Sequence, residues 1–90
     1  MKLEQLRTFL AVIDHGTFSR AAEALRISQS TVSVHVAGLE QSVGVRLLER
    51  GPRLARTTAA GGVLKGYASR IIALIEEASR RLRAEEISPT

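Results

Sequence analysis

Three breaks divide the first half of the chain, and they constrain its fold more than any other feature. Gly16-Thr17, Arg26-Ile27-Ser28 and Gly44 separate three segments whose apolar residues recur at helical spacing. In the first, from about Leu3 to Asp14, Leu3, Leu6, Phe9, Leu10 and Ile13 share a face, and Gly16 is a suitable stop because glycine tolerates the left-handed conformation. Thr17 can cap a second, two-turn helix in which Phe18, Ala21, Ala22 and Leu25 form one apolar face. Its two alanines are small enough to admit another helix closely. Ser28 is the expected N-cap of a third helix reaching about Val43, with Val32, Val36, Leu39 and Val43 spaced 4, 3 and 4 as its buried stripe. Two helices joined by about three residues, the second opened by a hydroxyl, form a helix-turn-helix pattern.

The second half adds a hairpin and a long helix. Val45 to Glu49 is β-compatible, Gly51-Pro52 marks a turn, and Leu54 to Thr57 can return as a second strand. The product is a small two-stranded wing with Arg50 and Arg53 at its tip. Thr58 then reads as the cap of a helix reaching about Glu86, roughly 43 Å long at 1.5 Å per residue. Leu64, Ala68, Ile71, Ile75, Ala78 and Leu82 are spaced 4, 3, 4, 3 and 4, the seam of a coiled-coil-like contact. Glu76–Arg80 and Glu77–Arg81 add i,i+4 pairs in the favourable order. Such a helix overhangs a domain this small, so the seam predicts a dimer; the alternative is a stripe folded back on the chain's own core. The expected fold is therefore mainly α: a winged helix-turn-helix of three helices and a small two-stranded wing, followed by a long linker helix. The expected division is a winged helix-turn-helix unit over 1–57, a linker and dimerisation helix over 58–86, and the start of a hinge over 87–90, where Pro89 discourages further helix.

Composition narrows the function classes. Of 90 residues, 13 are Lys or Arg and 9 are Asp or Glu, a net charge of +4 that favours a polyanionic partner. The three aromatics, Phe9, Phe18 and Tyr67, argue against stacking platforms for single-stranded bases. No cysteine is present, which excludes a disulfide framework and a thiolate site, and two histidines make a metal site unexpected. No apolar run approaches the roughly 20 residues of a membrane span, and the first ten residues are not a signal peptide, so the expectation is a cytoplasmic protein. No nucleophile–base pair, paired carboxylates or phosphate-cradling glycine loop is visible, which argues against an enzyme, and no cofactor is expected.

On a wheel with Val32 and Val36 facing the core, Ser30, Val34 and Gln41 point roughly opposite. Thr31 and Ser33 take the flanks, and Gln29 the N-terminal tip. A helix in the major groove reads bases with its N-terminal residues. Gln29 can pair bidentately with adenine, Thr31 and Ser33 can bond bases or phosphates, and Val34 can touch a thymine methyl. No acidic residue precedes Glu40 on this face, and the free N–H groups at the helix start favour a phosphate. Ser28 has two readings, a cap alone or a cap that also meets DNA. Ser19 and Arg20, near the start of the second helix, can reach the backbone that this helix crosses. Arg53 reads as a phosphate or minor-groove contact. Arg50 reads either so or as a partner of a carboxylate such as Glu40. His35 reads as a solvated or phosphate-adjacent side chain, and His15 as a cation at a helix end.

The stretch from Phe9 to Gly61 resembles the N-terminal winged helix-turn-helix domain of LysR-type transcriptional regulators. The resemblance rests on Phe9, Ala11, Gly16, Phe18, Ala21-Ala22, Leu25, Ser28-Gln29, Val32-Ser33, Leu39-Glu40, Gly44, Leu47, Leu48, Arg50, Arg53, Thr58, Ala60 and Gly61, in order and without gaps. The long helix is similar to the family's linker helix. The resemblance implies binding to a pseudo-palindromic double-stranded operator as a homodimer with antiparallel linker helices. It carries DNA contacts over to Ser28, Gln29, Ser30, Thr31, Ser33 and Arg53. It also implies a bacterial, nucleoid-associated protein, with tetramers in full-length members and a small-molecule inducer bound by a C-terminal domain beyond this chain. Ser30 stands where the family usually has proline and Val34 where Arg or Lys is frequent, so a different operator preference is expected; Leu54 stands where glycine is frequent and Thr57 where leucine is, departures that bear on the shape of the wing. The competing reading is a basic helical protein–protein interaction module that keeps the helix-turn-helix only as a scaffold.

Overall fold

The computed structural model describes residues 1–49 and 54–87. Helices α1 (Leu3–His15), α2 (Phe18–Leu25) and α3 (Gln29–Val43) are followed by strands β1 (Leu48–Glu49) and β2 (Arg56–Thr57) and by the long helix α4 (Ala59–Ile87). Each expected boundary has a local cause. Gly16 ends α1 in the left-handed region (φ 85°), its N–H donating to the Val12 carbonyl at 2.8 Å. Thr17 Oγ1 accepts from the Arg20 N–H at 3.0 Å and opens α2. Arg26 closes α2 at φ 58°, and the Ile27 N–H returns to the Ala22 carbonyl at 3.1 Å. Gly44 ends α3 at φ 77°.

The core lies where α1, α2 and α3 meet. Leu6, Phe9 and Val12 of α1 pack with Ala21 and Ala22 of α2 and with Val32, Val36 and Leu39 of α3. Burying each of the larger side chains contributes about 1.5–3 kcal/mol. The alanines of α2 are buried, as a close helix crossing requires. Leu47 and Leu48 close the core beneath the wing.

The wing is shorter than the sequence suggests. Val45 to Glu49 and Leu54 to Thr57 reduce to two residues each, antiparallel, with Leu48 opposite Thr57 and Glu49 opposite Arg56. Side-chain bonds compete with the ladder here. Glu40 Oε2 accepts the N–H groups of Leu47 (2.8 Å) and Leu48 (3.2 Å), tying the chain to α3 before a strand can form. Thr58 works on the other side. Its Oγ1 donates to the Arg46 carbonyl at 2.7 Å and accepts from the Gly61 N–H at 3.0 Å, so one hydroxyl caps α4 and holds the wing.

Helix α4 carries the molecule out to 56 × 25 × 19 Å. It continues through Ile87, so residue 87 is helical rather than the start of a hinge; 88–90 lie outside the described residues. Among the described residues no helix is long and apolar enough to cross a membrane.

Candidate nucleic-acid interface

Helix α3 buries Val32, Val36 and Leu39 and leaves Gln29, Ser30, Ser33, Val34 and Gln41 exposed, Val34 by 67%. The two faces follow from the 3.6-residue period acting on the valine spacing. At the helix start Ser28 Oγ accepts from the Thr31 N–H at 3.1 Å and lies 2.7 Å from Thr31 Oγ1 and 3.2 Å from Ser30 Oγ. Ser28 is thus a cap, and its hydroxyl organises the neighbouring two. Thr31 is half-buried. The first turn of α3 carries no acidic residue, so the remaining N–H groups present uncompensated positive potential to an anion.

Ser19 and Arg20 are exposed at the start of α2. Arg50 and Arg53, expected at the wing tip, lie outside the described residues. Glu40 Oε2 accepts from the backbone entering the wing, and the reading that pairs Glu40 with Arg50 falls outside the described residues. Arg56 on β2 is an exposed cation that sequence reading passed over; the strand's alternation, Arg56 out and Thr57 half-buried, was the available signal.

The α4 seam divides. Ala68 is 0% exposed and belongs to the chain's own core, and Leu64 packs against that core together with Ile72. Ala68 is therefore corrected out of the dimer seam, because its own chain already covers it, whereas Leu64 stays partly open. Ile71 (36%) and Ile75 (38%) are partly open, Ala78 is exposed, and Leu82 is 70% exposed. Val63, Tyr67 and Leu74, absent from the expected seam, extend this open stripe. An apolar cleft of about 380 Å³ lies beside it, lined by Met1, Val43, Val45, Leu64, Tyr67 and Ile71 among others. Arg70 sits over the Tyr67 ring, 4.7 Å from its centre. Among the described residues no three His, Cys, Asp or Glu side chains cluster as a metal ion would need.

This arrangement matches known proteins at every level of comparison. Residues 3–62 match the family described as bacterial regulatory helix-turn-helix protein, lysR family. A "Probable RuBisCO transcriptional regulator" of Cyanidioschyzon merolae is 48% identical over 80 residues, which cover 89% of this chain and 26% of the relative. The "SDS degradation transcriptional activation protein" of a Pseudomonas species is 46% identical over 70 residues, 78% of this chain and 23% of its own length. The chain thus spans about a quarter of the curated relatives it matches. Among solved structures, the BenM_DBD/catB site 1 DNA complex superposes with a TM-score of 0.96 at 31% identity, covering 100% of both chains. The CbnR_DBD–DNA complex superposes with a TM-score of 0.91 at 37% identity, covering 96% of this chain and 99% of that one.

Proposed function

Because the chain belongs to the LysR family of bacterial regulatory helix-turn-helix proteins, we propose that its DNA-binding domain reads a pseudo-palindromic operator as a homodimer, with α3 of each copy in the major groove. The observation that carries this reading is the exposed, acid-free N-terminal half of α3 above a fully buried valine–leucine stripe. Gln29 reads a base edge, Ser33 bonds a base or a phosphate, and Val34 covers a thymine methyl. Thr31, Ser30 and the Ser28 cap line the groove wall. Ser19 and Arg20 meet the strand that α2 crosses, and Arg53 with Arg50 meets the flanking backbone or minor groove. These contacts serve transcriptional regulation rather than catalysis, at the bacterial nucleoid.

The two copies join through the open stripe of α4, with Ile71, Leu74, Ile75, Ala78 and Leu82 of one helix against the same residues of the other. Regulators of full length would add effector sensing and tetramer formation beyond this chain. Affinity falls with salt as phosphate counterions are displaced.

The test is base-resolved binding to a duplex selected from random DNA. Gln29→Ala is expected to cost about 1–3 kcal/mol on the selected duplex and to relax preference at one base pair, leaving random DNA nearly unaffected. Equal loss on selected and random duplexes would remove Gln29 as a reader.

A further inference from the structure

Thr8 on α1 is the only polar side chain among the described residues that is buried, at 2% exposure. Its hydroxyl donates to the Glu4 carbonyl at 2.9 Å. Its oxygen also lies 2.8 Å from Nδ1 of His35 on α3. A hydroxyl carries one hydrogen, and the Glu4 carbonyl takes it, so Nδ1–H of His35 is the donor to Thr8. This fixes the ring's tautomer and its orientation, and it leaves Nε2 as the second functional atom. No buried side-chain nitrogen or oxygen among the described residues lacks a partner, and Nε2 forms no bond, so Nε2 opens to solvent. His35 sits one turn beyond Thr31 and about 100° around the helix from Val34, on the flank of the reading face rather than at its apex. A flank position meets groove wall, where the backbone phosphates lie.

Resting on the DNA-binding reading above, we propose that His35 is a further DNA contact: Thr8 holds its ring so that Nε2, protonated from solvent on binding, donates to a backbone phosphate. The neutral ring with Nδ1–H can only accept at Nε2, and a phosphate oxygen can only accept, so the contact requires the added proton. The Thr8 bond persists in both protonation states, because Nδ1 donates in each. The helices packed on α3 bring Glu4, Arg7, Asp14 and His15 from α1, and Arg20, Glu23 and Arg26 from α2 and its cap. All seven are exposed, and none forms a bond with the ring. On α3 itself, Glu40 is turned to the wing. The strongest nearby anion on binding is therefore the duplex.

Binding of the 90-residue chain to a duplex selected from random DNA tests this at fixed salt between about pH 6 and pH 8. The unsubstituted chain is expected to bind more tightly as pH falls, by up to about tenfold per pH unit, the limit for uptake of one proton. H35Q places an amide N–H near the Nε2 position at every pH, so it should keep binding and lose the pH slope. H35N can reach Thr8 but not the phosphate, so it should lose the low-pH gain. A pH slope unchanged in H35Q, H35N binding as tightly as the parent at low pH, or parent binding with no slope would each overturn the contact while leaving α3 as a reader. A chain that binds no duplex at any pH would sink both readings.

Discussion

Arg26 ends α2 at φ 58°, the only non-glycine residue with positive φ among the described residues. A β-carbon in that region costs about 1–2 kcal/mol. The turn keeps this conformation because the N–H groups of Arg26 and Ile27 satisfy the last carbonyls of α2 and so set the angle at which α3 departs. Arg26→Gly is expected to raise the unfolding free energy by about 0.5–1 kcal/mol in urea titration, since relief of strain exceeds the added freedom of the unfolded chain. A loss of stability would mean that the arginine side chain makes a contact outweighing the strain. Ser28 shows the other residue-scale lesson. A hydroxyl before a helix was legible as a cap, and its bonds to Thr31 and Ser30 bear that out. The Thr8–His35 bond was not legible, because 27 residues separate its partners and neither type demands the other.

Between elements, the tightest junction is that of α4 with the wing. A β-carbon on Gly61 would collide with the Leu47 carbonyl oxygen and stand 2.9 Å from its carbon, both backbone atoms that cannot rotate away. Gly61 therefore lets the first turn of α4 press directly on the chain entering β1. Gly61→Ala should destabilise the domain by about 1–3 kcal/mol, the usual cost of overpacking, measured by thermal or urea unfolding. Gly62→Ala is the internal control, because nothing lies within 4 Å of its added carbon. It should be neutral or slightly stabilising in the helix. Equal effects at the two glycines would show that helix propensity, not the junction, is at stake. The strands illustrate the limits of pattern reading. β-compatible residues on either side of Gly51-Pro52 located the hairpin, but Glu40 and Thr58 took hydrogen bonds that a longer ladder would need.

At the scale of the whole molecule, α4 separates a compact head from an extended arm with an apolar stripe. Leu74 and Leu82 stand open on that stripe, and neither packs in the head's core. Leu74→Glu combined with Leu82→Glu is expected to leave the head folded and to convert the protein from dimer to monomer in sedimentation. Affinity for a two-half-site duplex should fall at least tenfold, because two linked half-sites no longer bind as one. A dimer that survives both charges would move the interface elsewhere.

Periodicity and capping residues were enough to determine four helices, their order, the valine stripe of α3 and the acid-free face opposite it. These depend on the helical repeat and on neighbours a few positions apart, so the information is local. Tertiary structure alone decided that α4 gives Ala68 to the chain's own core and leaves Ile71, Ile75, Ala78 and Leu82 open. It also decided that Glu40 serves the wing and that Thr8 meets His35. A helical stripe says that a face is apolar but not what covers it, and a buried polar pair is specified only by the packing that brings distant positions together.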